Sequence, residues 1–379
     1  MTTWDAFGPF QPGPGGMPPH LGGREREQEL FRTLLARMEN RTPLPAEVIL
    51  YGPRGNGKTV LLRWLEDEVA SRRGIETVVL LPSSVPDSGR LAERLLPKSW
   101  WDRLTPEQVA LAGLSWRPGT AGAPPPPEEV LAARARKAPL VVVVDEAHTL
   151  DLGVGRALLN ASQLVRHRHP LLLILAGTPD VEGHLAAMDA SFWNRARTLR
   201  IGRLDERATE DALRLPFEAA GAPVDEAALA DMVRLSHGYP YFIQLLGQKT
   251  WGAMVSAAAP REVTPETLER ARPGFEHETR DYYRHRYREL RAEGLRAVAR
   301  SVAAAFRDRP VLDEEHLEEA IRAALDDRAD TAAADRAEAA LADLGFIWEA
   351  TPTPGWEPGI PSLMDYVLEF APAAPARLD

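Results

Sequence analysis

The feature that most constrains this chain is a glycine-rich loop between an apolar segment and an amphipathic one. Residues 52–59, GPRGNGKT, follow the apolar stretch EVILYG (47–52) and open TVLLRWLEDEVASRR (59–73). Glycines let backbone N–H groups turn inward around phosphate oxygens, and the N-terminus of the following helix adds partial positive charge. The order strand, loop, helix is the context that a phosphate-binding loop requires. We therefore predict a nucleotide site on this loop.

The loop supplies most of the predicted nucleotide contacts. Lys58 is expected to reach the β- and γ-phosphates, and the Thr59 hydroxyl is expected to ligate Mg²⁺. The other predicted contacts come from Gly52, Pro53, Arg54, Gly55, Asn56, Gly57 and Val60. These assignments predict ATP or ADP, together with Mg²⁺, as ligands.

A second element, LVVVVDEAHTL (140–150), is an apolar strand that ends in two carboxylates. Asp145 is expected to hold Mg²⁺ through its water shell, and Glu146 to orient or deprotonate the attacking water. Buried strands rarely end in adjacent carboxylates without a cation nearby, so a solvated acidic turn is the weaker interpretation. For His148 we favour local packing over a hydrogen bond to the acidic pair, since no metal-ligand spacing accompanies it.

Two further elements are expected to act on the phosphates. The strand LLLILAGTPD (171–180) ends at Thr178, whose hydroxyl can face the γ-phosphate or the attacking water; an ordinary Gly-Thr-Pro turn is the alternative. In SFWNRARTLRIGRL (191–204), Arg195 first and Arg197 second are candidates for a guanidinium that one subunit supplies to its neighbour. A basic surface patch or internal ion pairs explain these arginines equally well.

The wider pattern predicts the fold class. Continuous apolar strands alternate with helices up to about residue 203, which predicts an α/β P-loop ATPase fold with a parallel sheet and helices on both faces. Within this region RPGTAGAPPPPEE (117–129) predicts a surface loop. Beyond Leu204 the pattern is helical, and three helices followed by a two-stranded hairpin are typical of a winged helix. The predicted division is a flexible Pro/Gly-rich tail at 1–20, the P-loop core at 21–203, a helical lid at 204–280 and a winged-helix-like domain at 281–379.

Composition narrows the location and the partners. The 379 residues carry a formal net charge of −10, which argues against a chain that coats nucleic acid through bulk charge. There is no cysteine, which fits a reducing cytoplasm. The longest apolar runs fall far short of the roughly 20 residues that span a bilayer, and the first 20 residues lack the pattern of a signal peptide. We expect a cytoplasmic protein without membrane contact.

The C-terminal region carries two opposed charge patterns. From Asp313 to Gly345 there are 11 acidic residues and three arginines, a composition that repels phosphates. The run RDYYRHRYRELR (280–291) has five arginines and three tyrosines and is able to contact nucleic acid by charge and stacking. A connector helix with packed tyrosines and solvated arginines is the favoured interpretation. Because the segment at 345–367 is aromatic and apolar, we expect a protein partner at this module rather than nucleic acid.

With these motifs the chain resembles the AAA+ ATPases, in particular the branch of origin-recognition/Cdc6-like, TniB-like and STAND-type ATPases. The resemblance rests on GRERE (23–27), GPRGNGKT, VVVVDEAH, AGTP and SHGYPYFIQLLG (236–247), and it covers residues 20 to about 255. It implies that Gly23 and Arg24 lie near the adenine and that Thr178 acts as the sensor-1 residue. It also implies that the lid closes on the nucleotide through HGYP, which includes Pro240.

The lid departs from the pattern of origin-recognition proteins. Their lid offers an arginine to the γ-phosphate, whereas this chain has Gly238, Tyr239 and Pro240, like the G-x-P element of STAND switches. The resemblance therefore implies a slow nucleotide-controlled switch that acts on a protein partner. Two alternatives stay open: a DNA-associated ATPase of transposition, replication or plasmid maintenance, and a non-hydrolysing ATP-bound module of a conflict or anti-phage system. An arginine supplied in trans would make the protein a homo-oligomer.

Overall fold

The structure is a computed structural model, which describes residues 8–13, 16–96, 125–188, 195–257, 261–292, 294–325, 331–350 and 354–370. The chain divides into two compact units. The core unit consists of residues 25–51 and 58–200, and the helical unit of residues 1–24, 52–57 and 201–379. The six loop residues 52–57 are therefore grouped with the helical unit, although they join two elements of the core unit.

A five-stranded parallel sheet forms the centre of the core unit. Its strands are β1 (Val48–Tyr51), β2 (Glu76–Leu80), β3 (Leu140–Val144), β4 (Leu171–Gly177) and β5 (Arg197–Arg200). They lie in the order β2-β3-β4-β1-β5. β1, β3 and β4 are buried along their whole length, which is why the sequence shows continuous apolar runs there. The predicted α/β fold is confirmed.

Helices flank this sheet. They are α1 (Glu25–Glu39), α2 (Lys58–Ala70), α3 (Ser88–Leu95), α4 (Pro127–Lys137), α5 (Leu152–Arg166) and α6 (Val181–Ala187). A buried ion pair of 2.9 Å between Arg166 Nε and Glu47 Oε1 ties the end of α5 to the residue that precedes β1. Asp151 caps α5 by accepting the N–H groups of Gly153 and Val154.

One boundary differs from the sequence prediction. α4 begins at Pro127, inside the surface loop predicted at 117–129. Proline is favourable in the first turn of a helix because its missing N–H would have no intrahelical partner there, and Glu128 and Glu129 complement the helix dipole. The part of the predicted loop before residue 125 lies outside the described residues.

The helical unit contains eight described helices and a hairpin. The helices are α7 (Glu206–Ala219), α8 (Glu226–Ser236), α9 (Pro240–Val255), α10 (Pro265–Ala292), α11 (Arg296–Asp308), α12 (Glu314–Arg322), α13 (Thr331–Asp343) and α14 (Pro361–Phe370). β6 (Ile347–Glu349) pairs antiparallel with β7 (Trp356–Pro358). This order of elements fits the predicted winged helix. No described helix is long and apolar enough to cross a membrane.

α10 links the predicted lid to the predicted C-terminal domain. It runs without a break for 28 residues and crosses the predicted boundary at residues 280 and 281. A single hydrophobic cluster contains buried residues from the lid helices and from the C-terminal helices. The two regions are therefore continuous in both backbone and core.

The predicted flexible tail over residues 1–20 is wrong for the segment around Phe10. This side chain is 1% exposed, and its ring lies 4.8 Å from that of Phe217. A Cβ atom at Gly247 would come within 2.3 Å of the Phe10 ring, so the glycine makes room for it. The Gln11 N–H also donates to Gln244 Oε1 at 3.0 Å. The Pro/Gly-rich composition gave no sign that Phe10 packs against the lid helices.

Candidate functional site

In the core unit, neighbouring strands bring several predicted residues to one edge of the sheet. β3, β4 and β1 are adjacent and parallel, so their carboxyl ends lie side by side. Asp145 and Glu146 follow β3, Thr178 follows β4, and Lys58 opens α2. Ligands of open α/β sheets bind at this edge.

The two predicted Mg²⁺ ligands contact each other. The Thr59 hydroxyl donates to Asp145 Oδ2 at 3.0 Å, and the Glu146 N–H donates to Asp145 Oδ1 at 2.9 Å. Asp145 is only 9% exposed, so its carboxylate is held in one orientation. Hydroxyl and carboxylate oxygens keep further lone pairs, and Mg²⁺ prefers such oxygen ligands. The donor set fits this cation.

Glu146 is oriented by its backbone and by His148. It adopts the left-handed conformation with φ 55° and ψ 37°, and its side chain is 45% exposed. His148 Nε2 lies 3.4 Å from Glu146 Oε2, and the Thr178 N–H donates to His148 Nδ1 at 3.4 Å. With Nδ1 accepting from Thr178, Nε2 is the ring nitrogen that can donate toward the carboxylate. His148 is therefore packed locally, as we favoured, and also lies against the Glu146 carboxylate, the alternative that the sequence left open.

The Thr178 hydroxyl is suited to a ligand. Thr178 is 1% exposed, and its Oγ1 has no hydrogen-bond partner among the residues that the structure describes. A buried polar group without a partner costs about 1–3 kcal/mol. A phosphate oxygen or an attacking water would satisfy it, which agrees with the predicted role of Thr178.

The conformation of the loop itself requires glycine at several positions. Gly55 and Gly57 have φ values of +85° and +89°, a region that only glycine adopts readily. A Cβ atom at Gly57 would meet no described heavy atom within 4 Å, so the backbone there has open space beside it. At Gly52 a Cβ would come within 2.1 Å of the Ile201 carbonyl oxygen. The loop thus combines a tightly packed start with an open end that suits phosphate.

Side chains of the helical unit brace this loop. Asn56 is buried and its Nδ2 donates to the Ile201 carbonyl at 3.2 Å. Arg24 Nη2 donates to the carbonyls of Gly202 at 2.6 Å and of Asn56 at 3.2 Å. The Arg24 guanidinium therefore supports the loop backbone, a role that the resemblance did not suggest.

The other lid and adenine residues have defined positions. Gly23 has φ +70°, and a Cβ there would come within 2.6 Å of the Ala208 Cβ. Pro240 is the first residue of α9 and is half-buried. Adenine contacts by Gly23, Arg24 and Pro240 stay predictions. Tyr239, which we had not assigned to the site, donates its hydroxyl to the Arg54 carbonyl at 2.6 Å.

Arg195 and Arg197 lie at the opposite edge of the sheet. Both are exposed, and Arg197 is the first residue of β5. In the parallel pairing Arg197 lies beside Val48 at the start of β1, about 10 Å from Tyr51 at its end. A guanidinium at this position is poorly placed to reach the strand ends of its own subunit.

In the run at 280–291 the tyrosines and Arg286 are engaged in packing, whereas the other four arginines are exposed. Arg286 is buried and donates to Glu289 Oε2 at 2.7 Å and to the Leu344 carbonyl. The Tyr287 hydroxyl donates to the Phe370 carbonyl at 2.7 Å, and the Tyr283 hydroxyl donates to Ser362. The packed tyrosines and the exposed arginines are what the connector interpretation expects, and the buried Arg286 departs from it.

Comparisons with known proteins concern the domain and the fold. Residues 20–174 match the family model of the AAA ATPase domain. No curated protein sequence matches the chain. The fold is similar to that of the Walker-type ATPase paby2304 of Pyrococcus abyssi, with a TM-score of 0.59, 17% identity, and coverage of 92% of this chain and 95% of that one. It is also similar to Aeropyrum pernix ORC2 in its ADPNP-ADP complexes, with a TM-score of 0.58, 14% identity, and coverage of 94% and 97%. At these identities the likeness concerns the fold.

Proposed function

Because the chain contains an AAA ATPase domain and is an ATP hydrolase, we propose that it uses Mg²⁺-dependent hydrolysis to switch its binding of a protein partner. The observation that carries the proposal is the hydrogen bond of 3.0 Å between Thr59 and Asp145 at the end of β3. It brings together, from distant parts of the sequence, the two oxygen ligands that a nucleotide-bound cation needs. Bound Mg²⁺ would neutralise charge on the phosphate oxygens.

Lys58 and the glycine loop would hold the phosphates. The Lys58 ammonium supplies positive charge, and the loop backbone supplies N–H donors. Lys58 is buried at the start of α2, where the helix N-terminus also favours an anion. This combination binds triphosphate through its charge and shape.

Glu146 would orient the attacking water and accept its proton. His148 holds the carboxylate through Nε2, and the Thr178 N–H holds the ring through Nδ1. The Thr178 hydroxyl is available to donate to the γ-phosphate or to the water. Positioned water and preorganised donors account for most of the catalysis that phosphoryl transfer requires.

Two features of the chain favour slow ATP turnover. The connection from α8 to α9 consists of His237, Gly238 and Tyr239, followed by Pro240 as the first residue of α9, and it offers no arginine to the γ-phosphate. Arg195 would instead be supplied by a second copy of the chain, since it lies at the amino end of β5 in its own subunit. Turnover would then depend on assembly into a head-to-tail oligomer.

A protein partner is favoured over nucleic acid at the C-terminal elements. The region from Asp313 to Gly345 is strongly acidic. In the basic run at 280–291 four of the five arginines are exposed, but Arg286 is buried and the hydroxyls of Tyr283 and Tyr287 bond internally. Phosphate binding needs an accessible basic face. The DNA-associated alternative therefore has less support than the protein-directed switch.

ATP hydrolysis by site variants tests the proposal. We expect Lys58→Ala and Glu146→Gln to lower kcat by about 100-fold or more, with nucleotide binding retained in Glu146→Gln. Omission of Mg²⁺ should abolish turnover. Arg195→Ala should lower kcat strongly, while Arg207→Ala, a change of another exposed arginine, should not. Equal turnover by the wild type, Lys58→Ala and Glu146→Gln would contradict the assignment, as would failure of the wild type to bind Mg-ATP.

A further inference from the structure

A buried tyrosine of the helical unit contacts the backbone of the phosphate loop. Tyr239 lies at the start of α9 and is 1% exposed. Its hydroxyl donates to the Arg54 carbonyl at 2.6 Å, in the middle of the loop. Burial and the neighbouring Tyr282 raise the pKa of Tyr239 well above its ordinary value, so the hydroxyl keeps its proton and remains a donor.

The loop is shaped to receive this hydroxyl. A Cβ atom at Gly55 would come within 2.0 Å of the Tyr239 oxygen, and Gly55 has φ +85°. Any other residue at position 55 would strain the backbone and collide with the tyrosine. The hydrogen bond therefore fixes the peptide group that joins Arg54 to Gly55, within the loop that is predicted to bind phosphate.

α10 continues the connection from Tyr239. The hydroxyls of Tyr239 and Tyr282 lie 3.0 Å apart. Because Tyr239 gives its only hydroxyl proton to the Arg54 carbonyl, Tyr282 is the donor in this second bond. Chains of hydrogen bonds of this kind strengthen one another in a buried setting.

Two more contacts join the same part of the loop to the C-terminal elements. Arg54 Nη1 lies 3.4 Å from Glu289 Oε1 on α10, and Glu289 also accepts from the buried Arg286. Gly345, which precedes β6, packs against Pro53 so closely that a Cβ would lie 2.8 Å from the proline Cβ. The loop residues 53–55 thus touch α9, α10 and the segment before the hairpin.

We propose that the Tyr239 hydroxyl is a positioning group of the phosphate loop, through which α10 and the C-terminal hairpin act on nucleotide affinity. The inference rests on the proposed ATPase function and adds a residue and a route to it. Tyr239 touches the loop backbone, and its effect on the nucleotide passes through the Arg54–Gly55 peptide. A change in α10 would alter this peptide, and nucleotide binding would in turn bias α10.

The test compares three hydroxyl deletions in the full chain. Tyr239→Phe removes the hydrogen bond to the loop, and Tyr282→Phe removes only the hydrogen bond between the two tyrosines. Tyr283→Phe, on the same helix as Tyr282, removes the hydrogen bond to Ser362 on α14. ATP and ADP dissociation constants, KM, kcat and Tm are measured for each with Mg²⁺. We expect Tyr239→Phe to raise both dissociation constants and KM by about three- to tenfold. Tyr282→Phe should raise them less, and Tyr283→Phe should lower only Tm.

The outcomes separate positioning from a structural role. If Tyr239→Phe binds ATP and ADP as tightly as the wild type and has the same KM, the inference is overturned, whatever the Tm of this variant. It is also overturned if Tyr283→Phe loses as much nucleotide affinity as Tyr239→Phe. Lys58→Ala is measured alongside. If the wild type binds Mg-ATP and Lys58→Ala does not, the proposed function stands even when Tyr239→Phe is unaffected. If the wild type does not bind Mg-ATP, both ideas fail together.

Discussion

Glu146 shows how a single backbone angle organises the candidate catalytic centre. A residue other than glycine with positive φ costs about 1 kcal/mol or more, and Glu146 adopts φ 55° directly after the buried strand β3. This turn brings its carboxylate to His148, and His148 is held in turn by Thr178. The strain lies at the residue whose carboxylate orientation matters most to the proposed mechanism.

His148→Asn should therefore impair catalysis more than binding. Asparagine keeps a short polar side chain but loses the Nε2 donor, so Glu146 becomes free to rotate. We expect kcat to fall roughly tenfold, the cost of one hydrogen bond to a charged group, while KM changes less than twofold. Steady-state ATPase kinetics measure both quantities. His167→Asn, an exposed histidine outside the site, is the matched control, and a kcat equal to that of the wild type in His148→Asn would refute the positioning role.

At the scale of residues, the sequence indicated which residues form the candidate site better than which side chains contact each other. The motifs identified Thr59 and Asp145 separately as candidate Mg²⁺ ligands, and the hydrogen bond between them is a finding of the structure. The contacts of His148 and Tyr239 did not follow from the motifs either. The His148 contact depends on the left-handed backbone at Glu146, and the Tyr239 contact depends on where the residue before α9 lies relative to the loop. An apolar pattern in the sequence predicts neither.

At the scale of elements, hydrophobic periodicity located the strands and most helices. β1, β3 and β4 lie within the apolar runs because they are buried on both faces. The pattern was less informative for α10, whose surface is polar over much of its length. Tyrosines and a buried arginine fix that helix in place, and such contacts have no period of their own.

The N-terminal segment offers a test at the element scale. Phe10→Ala should destabilise the helical unit by about 3 kcal/mol, the usual loss for a fully buried phenylalanine, because the ring is 1% exposed and packs directly against Gly247. Thermal unfolding followed by circular dichroism measures the effect as a lower Tm. Phe370→Ala, at a ring that is 50% exposed, should cost much less. An unchanged Tm in Phe10→Ala would mean that the segment is not anchored in solution.

At the scale of the whole molecule, the phosphate loop belongs by its contacts to the unit that also contains α9, α10 and the C-terminal hairpin. The sequence predicted a lid and a winged-helix-like domain as separate regions, since composition changes between them. It could not predict the continuous α10, because Pro273 and Gly274 lie inside this helix and such a pair usually signals a turn. Nucleotide binding at the loop is therefore expected to reach the C-terminal elements through direct contacts.

Hydrogen exchange tests this central claim most directly. Amide exchange of Glu146→Gln is compared in saturating Mg-ATP and in Mg-ADP, so that hydrolysis does not mix the two states. We expect the exchange rates of α10 around residues 282–289 and of the hairpin at 347–358 to differ between the nucleotides, in addition to those of the loop. Differences confined to the phosphate loop and the strand ends, with α10 and the hairpin identical in both nucleotides, would contradict the account.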